Sequence, residues 1–195
     1  MAMPFALTPP EAGEFAPSFG RYIDMVRGSD LREVLASQPD ALRATGAGLS
    51  EGEALRRYAE GKWSVKEVVG HLNDTERVFS YRALRIARGD ATPLPAFDEN
   101  AYVEMAGFDR RPLGDLIDEF ETVRRQTLSL LAGLDEEGWR RIGVASGKPI
   151  STRALFYITA GHARHHLRLL ESRYGLRIPD SERGVTADPP YETAG

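Results

Sequence analysis

The sequence predicts an all-α domain, a four-helix bundle, and three observations carry that prediction. Four segments place apolar residues at helical spacing, no segment shows the strict apolar–polar alternation of a half-buried strand, and the helical segments are bounded by capping residues. At 195 residues, 42% of them hydrophobic, the chain can bury one sizeable core but is short for two independent ones.

Residues 1–20 scatter Pro4, Pro9, Pro10 and Pro17 with Gly13 and Gly20 among small residues, so an irregular N-terminal arm is expected. The bundle is expected over 21–178, and a flexible tail over 179–195. The first helix is expected to take Ser29 or Asp30 as its cap and to run through Leu31, Val34, Leu35 and Leu42. Pro39, which lacks an N–H, should kink or interrupt it. The second begins at Ser64, because Glu67 three residues on completes a reciprocal capping pair, and runs from Val65 to about Arg88. A loop with Gly89, Pro93 and Pro95 follows, then a short turn around Asp98 to Met105. Pro112 opens the third helix, whose buried stripe is Leu113, Leu116, Ile117, Phe120, Val123, Leu130 and Leu131. The fourth starts after Ser151, with Ile150 and Leu155 placed as a hydrophobic staple, and ends at Gly175, a natural left-handed cap. Four amphipathic helices bury their stripes best against one another.

Composition narrows the function classes. With 25 basic against 29 acidic residues the net charge is −4, so there is no basic excess to neutralise phosphates and no nucleic acid partner is expected. No apolar run approaches the roughly 20 residues of a membrane span. The opening Met1-Ala2-Met3-Pro4-Phe5 lacks the basic start and apolar segment of a secretory signal, and a cytoplasmic protein is expected. The absence of cysteine removes disulfides, thiolate ligands and a cysteine nucleophile together.

Of four histidines, three fall in Gly161-His162-Ala163-Arg164-His165-His166. At about 100° and 1.5 Å per residue, His162 and His166 stand roughly 40° apart around the helix and about 6 Å apart along it, within reach of one ion. They share a face with Leu155, Ile158 and Leu169 and so point inward, whereas His165 is rotated aside. His71 lies beside the stripe of Val68, Leu72, Thr75 and Phe79 and faces inward as well. Three neutral imidazoles with an open position make a catalytic zinc arrangement, and nickel, iron or copper accept the same nitrogens. The competing reading is three core histidines bonded to hydroxyls or carbonyls.

Charged residues on the inner faces need partners. Arg82 returns to the His71 face after eleven residues, and an ion pair with Asp98 or Glu99 is expected, ahead of a role in binding a substrate carboxylate. Arg124 falls in the stripe of the third helix with Glu76 as its expected partner. Trp63 and Trp139 read as packing residues, and Asp118, Glu119 and Glu121 as a solvated face. Asp74 and Asp98 are the candidates for a general base near the histidines.

The chain also resembles the DinB-like superfamily of metal-binding helical bundles, in the subgroup with a tryptophan-serine start to its second helix. The carriers are Tyr58, Gly61-Lys62-Trp63-Ser64-Val65-Lys66-Glu67-Val68-Val69-Gly70-His71-Leu72, Glu76-Arg77-Val78-Phe79, Leu94-Pro95-Ala96-Phe97-Asp98-Glu99, and Gly161-His162 through His166. The resemblance implies that His71, His162 and His166 are the ligands of a divalent transition metal, zinc or nickel first and iron next. It also implies a metal-dependent enzyme, either a hydrolase or an S-transferase acting with a low-molecular-weight thiol, and a homodimer. The alternative is a stress-response or ligand-binding module whose metal is structural or absent. No polymerase function follows from the similar name of an unrelated DNA polymerase.

Overall fold

The structure, a computed structural model, describes residues 5–183. After a 3-10 turn at Pro17–Phe19 come α1 (Gly20–Val26), α2 (Leu31–Gly46), α3 (Glu51–Ala54), α4 (Val65–Ala87), α5 (Glu99–Ala106), α6 (Leu113–Ala132) and α7 (Glu136–Arg140). A hairpin of β1 (Ile142–Ala145) and β2 (Lys148–Ser151), α8 (Thr152–Tyr174) and α9 (Asp180–Arg183) complete the described chain. The four long helices form a bundle in which α4 packs against α6 and α8, and α2 packs against the same two.

The helix starts follow from their caps. Asp30 accepts from the amides of Arg32 and Glu33, Ser64 and Glu67 form the reciprocal pair, and Ser151 accepts from Ala154, each satisfying amides left open in the first turn. α6 starts directly after Pro112, and α8 stops at Gly175, whose φ of 67° suits glycine.

Pro39 does not interrupt α2, which is continuous through it. Proline at 39 leaves the carbonyl of Leu35 without its N–H four residues on, and Arg124 Nη1 on α6 fills the vacancy at 2.8 Å. The same guanidinium grips both oxygens of Glu76 on α4 at 2.7 and 2.8 Å and donates to Gln38 Oε1 at 2.7 Å; Gln38 Nε2 in turn donates to Ala160 O on α8 at 2.8 Å. One buried chain of hydrogen bonds thus ties all four long helices together. The expected Arg124–Glu76 pair is present.

This polar layer divides the core. On one side lie α1, Leu31 to Leu35 of α2, Phe79 to Ala87 of α4, Trp139 and Leu155 to Ala160 of α8. On the other lie Ala41 and Leu42, Val65 to Leu72, Leu113 to Phe120, and Ala163 to Tyr174. Of the expected α6 stripe, Leu130 alone is only partly buried.

The expectation of no strand is corrected by the hairpin. The large apolar residues of β1, Ile142 and Val144, face outward, 55% and 38% exposed, while Gly143 faces inward where a Cβ would meet Ile86 at 2.7 Å. Ser146 and Gly147, with φ of 53° and 71°, close a two-residue turn of the kind that favours such conformations.

Residues 5–16 of the arm hold no helix or strand but are fixed to α8: Tyr157 donates to Leu7 O at 2.8 Å, and Arg153 Nε to Glu14 Oε2 at 2.7 Å. α1 takes in Gly20, the last residue of the expected arm. At the other end, residues 180–183 of the expected tail form α9, because buried Glu182 pairs with Arg164 at 3.0 Å. Residues 1–4 of the arm and 184–195 of the tail lie outside the described residues. No helix among the described residues is long and apolar enough to cross a membrane.

Candidate metal centre

The three inward histidines converge where the polar layer meets α4 and α8. His71 Nε2 stands 3.0 Å from His162 Nε2, and His166 Nε2 stands 3.1 Å from the same atom. One nitrogen from each ring lies within 4.8 Å of the others, and all three side chains are buried. For comparison, nitrogens at about 2.0–2.1 Å from a tetrahedral ion are about 3.3 Å apart.

Burial pulls the pKa of His71 down to about 4, helped by the neighbouring His165, and pulls His162 and His166 well below the ordinary imidazole value, helped by the rings beside them. All three are neutral at pH 7. A neutral ring nitrogen carries either one hydrogen or one lone pair, so His162 Nε2 cannot make two good hydrogen bonds to nitrogens at 3.0 and 3.1 Å. Core histidines satisfied by hydroxyls or carbonyls would look different: among the described residues the one such contact of these rings is His71 Nδ1 to Thr75 Oγ1, at 3.3 Å, and His166 Nδ1 is buried with no partner there. A divalent cation accepting three lone pairs fits this donor set, and the hydroxyl reading does not.

Thr75 Oγ1 contacts the nitrogen of His71 that faces away from the cluster, Nδ1, at 3.3 Å; the tautomer with Nδ1–H donated to that hydroxyl leaves Nε2 its lone pair for an ion, the arrangement by which outer groups orient metal-binding imidazoles. Aromatic rings wall the cluster. Trp63 lies 4.7 Å from the His71 ring, Tyr22 meets His162 edge-on at 5.4 Å, and Phe79 meets it at 6.0 Å. Arg21 donates to the Tyr22 hydroxyl at 2.9 Å.

His165 is partly exposed, with its ring 5.3 Å from Tyr22 and 5.1 Å from His166, and it does not join the cluster. Neither does Asp74, held near Arg77 at 3.5 Å, nor Asp98, whose carboxylate caps α5 through the amides of Asn100 and Ala101. The expected ion pair of Arg82 with Asp98 or Glu99 is not formed; its guanidinium bonds Pro95 O and Ser146 Oγ instead, because the cap at α5 engages Asp98 elsewhere. Trp139 is a core residue with no exposure, but Trp63 also borders the histidines, beyond the packing role expected of it. Asp118 and Glu121 are exposed partners of Arg43, while Glu119 is drawn in by Arg77 and Arg111. Tyr22 was invisible as a neighbour of the site because only the crossing of α1 over α8 brings it there. Trp63 lies eight residues before His71, and the start of α4 alone does not tell which way its ring turns.

The sequence profile of the DinB superfamily matches residues 35–170. Among curated proteins the chain is similar to one named "Putative metal-dependent hydrolase" from Geobacillus thermodenitrificans, 27% identical over 146 residues, which cover 72% of this chain and 82% of that one. A protein of the same printed description from Oceanobacillus iheyensis is 28% identical over 121 residues, covering 61% and 69%. Among solved structures, YfiT from Bacillus subtilis, described as a probable metal-dependent hydrolase with an unusual four-helix bundle topology, superposes with a TM-score of 0.68 at 18% identity, covering 85% of this chain and 93% of that one. That likeness speaks for the fold.

Proposed function

The chain belongs to the DinB superfamily, and from that premise we propose that it is a metal-dependent hydrolase whose divalent ion is held by His71, His162 and His166. The observation that carries the reading is the donor set. Three buried, neutral imidazoles converge, and among the described residues no aspartate, glutamate or fourth histidine joins them. Four protein ligands would mark a structural site, whereas three leave a position for a reactant. A divalent ion there would polarise a water so that it ionises near neutral pH.

The protein's own groups supply orientation and enclosure. Thr75 holds the ring of His71 by its far nitrogen, and the buried Glu76–Arg124–Gln38 chain fixes the spacing of α4 and α8, which carry the ligands. The rings of Tyr22, Trp63 and Phe79 limit the water that reaches the cluster and so strengthen electrostatic interactions inside it. Zinc and nickel are among the ions that imidazole nitrogens suit, with iron and copper. The names of the curated relatives favour hydrolysis over thiol transfer.

The reading is tested by loading the purified chain with zinc, nickel or ferrous iron in turn and assaying aryl esters, aryl amides and transfer of a small thiol to an activated arene. Hydrolysis that is removed by a chelator and by His162→Ala is expected. Thiol transfer alone, or hydrolysis undiminished in His162→Ala, would overturn it.

A further inference from the structure

Arg82 sits on α4 eleven residues beyond His71, and no carboxylate among the described residues pairs with its guanidinium. Nη2 donates to Pro95 O at 2.7 Å and to Ser146 Oγ at 3.2 Å, and Cζ lies 5.6 Å from the centre of the Phe97 ring. Nε and Nη1 have no hydrogen-bond partner among the described residues. The residue is only 4% exposed. Arginine keeps its charge at any working pH, and a buried charge without a counter-charge is costly; burial here pulls its pKa down, with no anion to oppose the effect.

The same side chain lines a cavity of about 290 Å³, walled by Arg77, Tyr81, Pro95, Phe97 and Tyr102. Arg77 is already engaged, at 2.6 Å from Glu119 and 3.5 Å from Asp74, so Arg82 is the uncompensated cation of the wall. Tyr81, with Arg85 over its ring, and Tyr102, packed on Phe97, are half-exposed at the lip. A volume near the lower end for ligand pockets calls for a small occupant, the aromatic walls call for a flat apolar body, and the guanidinium calls for an anion.

We propose that this cavity binds a small carboxylate on a flat apolar body, an aryl acid, with the carboxylate accepting a single charge-assisted hydrogen bond from one of the N–H groups of Arg82 that Pro95 and Ser146 leave open, and the ring lying among Phe97, Tyr81 and Tyr102. Eleven residues of helix separate the backbones of Arg82 and His71 by about 16 Å, and none of the three histidines lines the cavity. The site stands independently of the hydrolase reading.

The test is an NMR titration of the isotope-labelled full chain with benzoate and, separately, with uncharged benzamide. Benzoate is expected to shift the Arg82 Nε–H signal and the amides of Phe97 and Tyr102 saturably, and to bind at least tenfold more tightly than benzamide. Arg82→Gln should abolish that preference, and Tyr102→Ala at the lip should weaken binding without touching the guanidinium. Should Arg82→Gln fail to fold, the comparison of the two probes on the wild type decides. Equal binding of both probes, no saturable shift at Arg82, or a preference that survives Arg82→Gln would overturn the proposal. Binding should persist in His162→Ala; its loss there would place benzoate at the histidines and count against the cavity.

Discussion

The carbonyl oxygen of Tyr22 lies where Gly161 would carry a side chain: a Cβ built on Gly161 would come within 1.9 Å of it. α1 therefore crosses α8 in backbone contact one residue before His162, and the Tyr22 ring reaches that histidine edge-on. Gly70 stands in the same relation to His71, since a Cβ there would meet the Phe108 ring at 2.3 Å. Each of the two helices that supply histidines has a glycine immediately before the first one, and a neighbouring element closes onto it.

Gly161→Ala should therefore push α1 off α8. Overpacking against backbone costs about 2–3 kcal/mol, or roughly 5–10 °C in melting temperature for a chain of this size, and metal affinity should fall with it. Gly70→Ala should cost less, because a phenylalanine ring can turn aside where a carbonyl cannot. Thermal melts of the two variants compare these outcomes directly; equal effects would count against the backbone contact.

Glu76→Ala should destabilise the fold by about 3–5 kcal/mol, because it leaves the buried guanidinium of Arg124 without its counter-charge. Asp118→Ala, which removes one exposed partner of Arg43, should leave the urea midpoint unchanged. A midpoint for Glu76→Ala close to wild type would contradict the view that this chain of bonds holds the four helices in register.

These two relationships also mark what could be read from the sequence. The Ser64–Glu67 pair, Pro112 and Gly175 announce helix ends because caps act within a few residues, and the spacing of His162 and His166 puts them on one face by helix geometry alone. α1 stayed hidden because seven residues carry too little periodicity and its burial depends on α8. The hairpin stayed hidden because the inward positions of β1 are Gly143 and Ala145 while its larger apolar residues Ile142 and Val144 face out, which inverts the usual pattern, and β2 turns in only Ile150 as a large apolar residue. Arg82 showed its burial but not its partners, since these come from a loop and from the hairpin turn. Trp63 and Tyr22 border the histidines only through tertiary contact.

The stability of the metal-free protein should fall in mild acid. The unfolded chain protonates its histidines near pH 6.5, whereas folded His71 does so only at about 4, and burial holds His162 and His166 well below their ordinary value as well. The unfolded state therefore binds more protons between these values, and the stability present above about pH 6.5 is lost as the pH falls toward 4. His71 alone contributes on the order of 3 kcal/mol across that window. Urea midpoints at pH 7.5 and 5 should differ clearly in the wild type and less in His71→Gln; an identical difference in both would contradict the assignment.

Thr75→Val keeps the shape of the side chain but removes the hydroxyl that contacts His71 Nδ1. Metal affinity should drop about 10–100-fold while the far-ultraviolet circular dichroism stays that of the wild type. Unchanged affinity on calorimetric titration with zinc would show that the hydroxyl does not orient the ring.

The central claim, that His71, His162 and His166 hold one divalent ion, is tested most directly by elemental analysis of protein purified without a histidine tag or added metal, beside His162→Ala prepared in the same way. About one equivalent of a transition metal per chain in the wild type, and none in the variant, is the predicted result. No metal in either, with no uptake when zinc or nickel is titrated in, would contradict it.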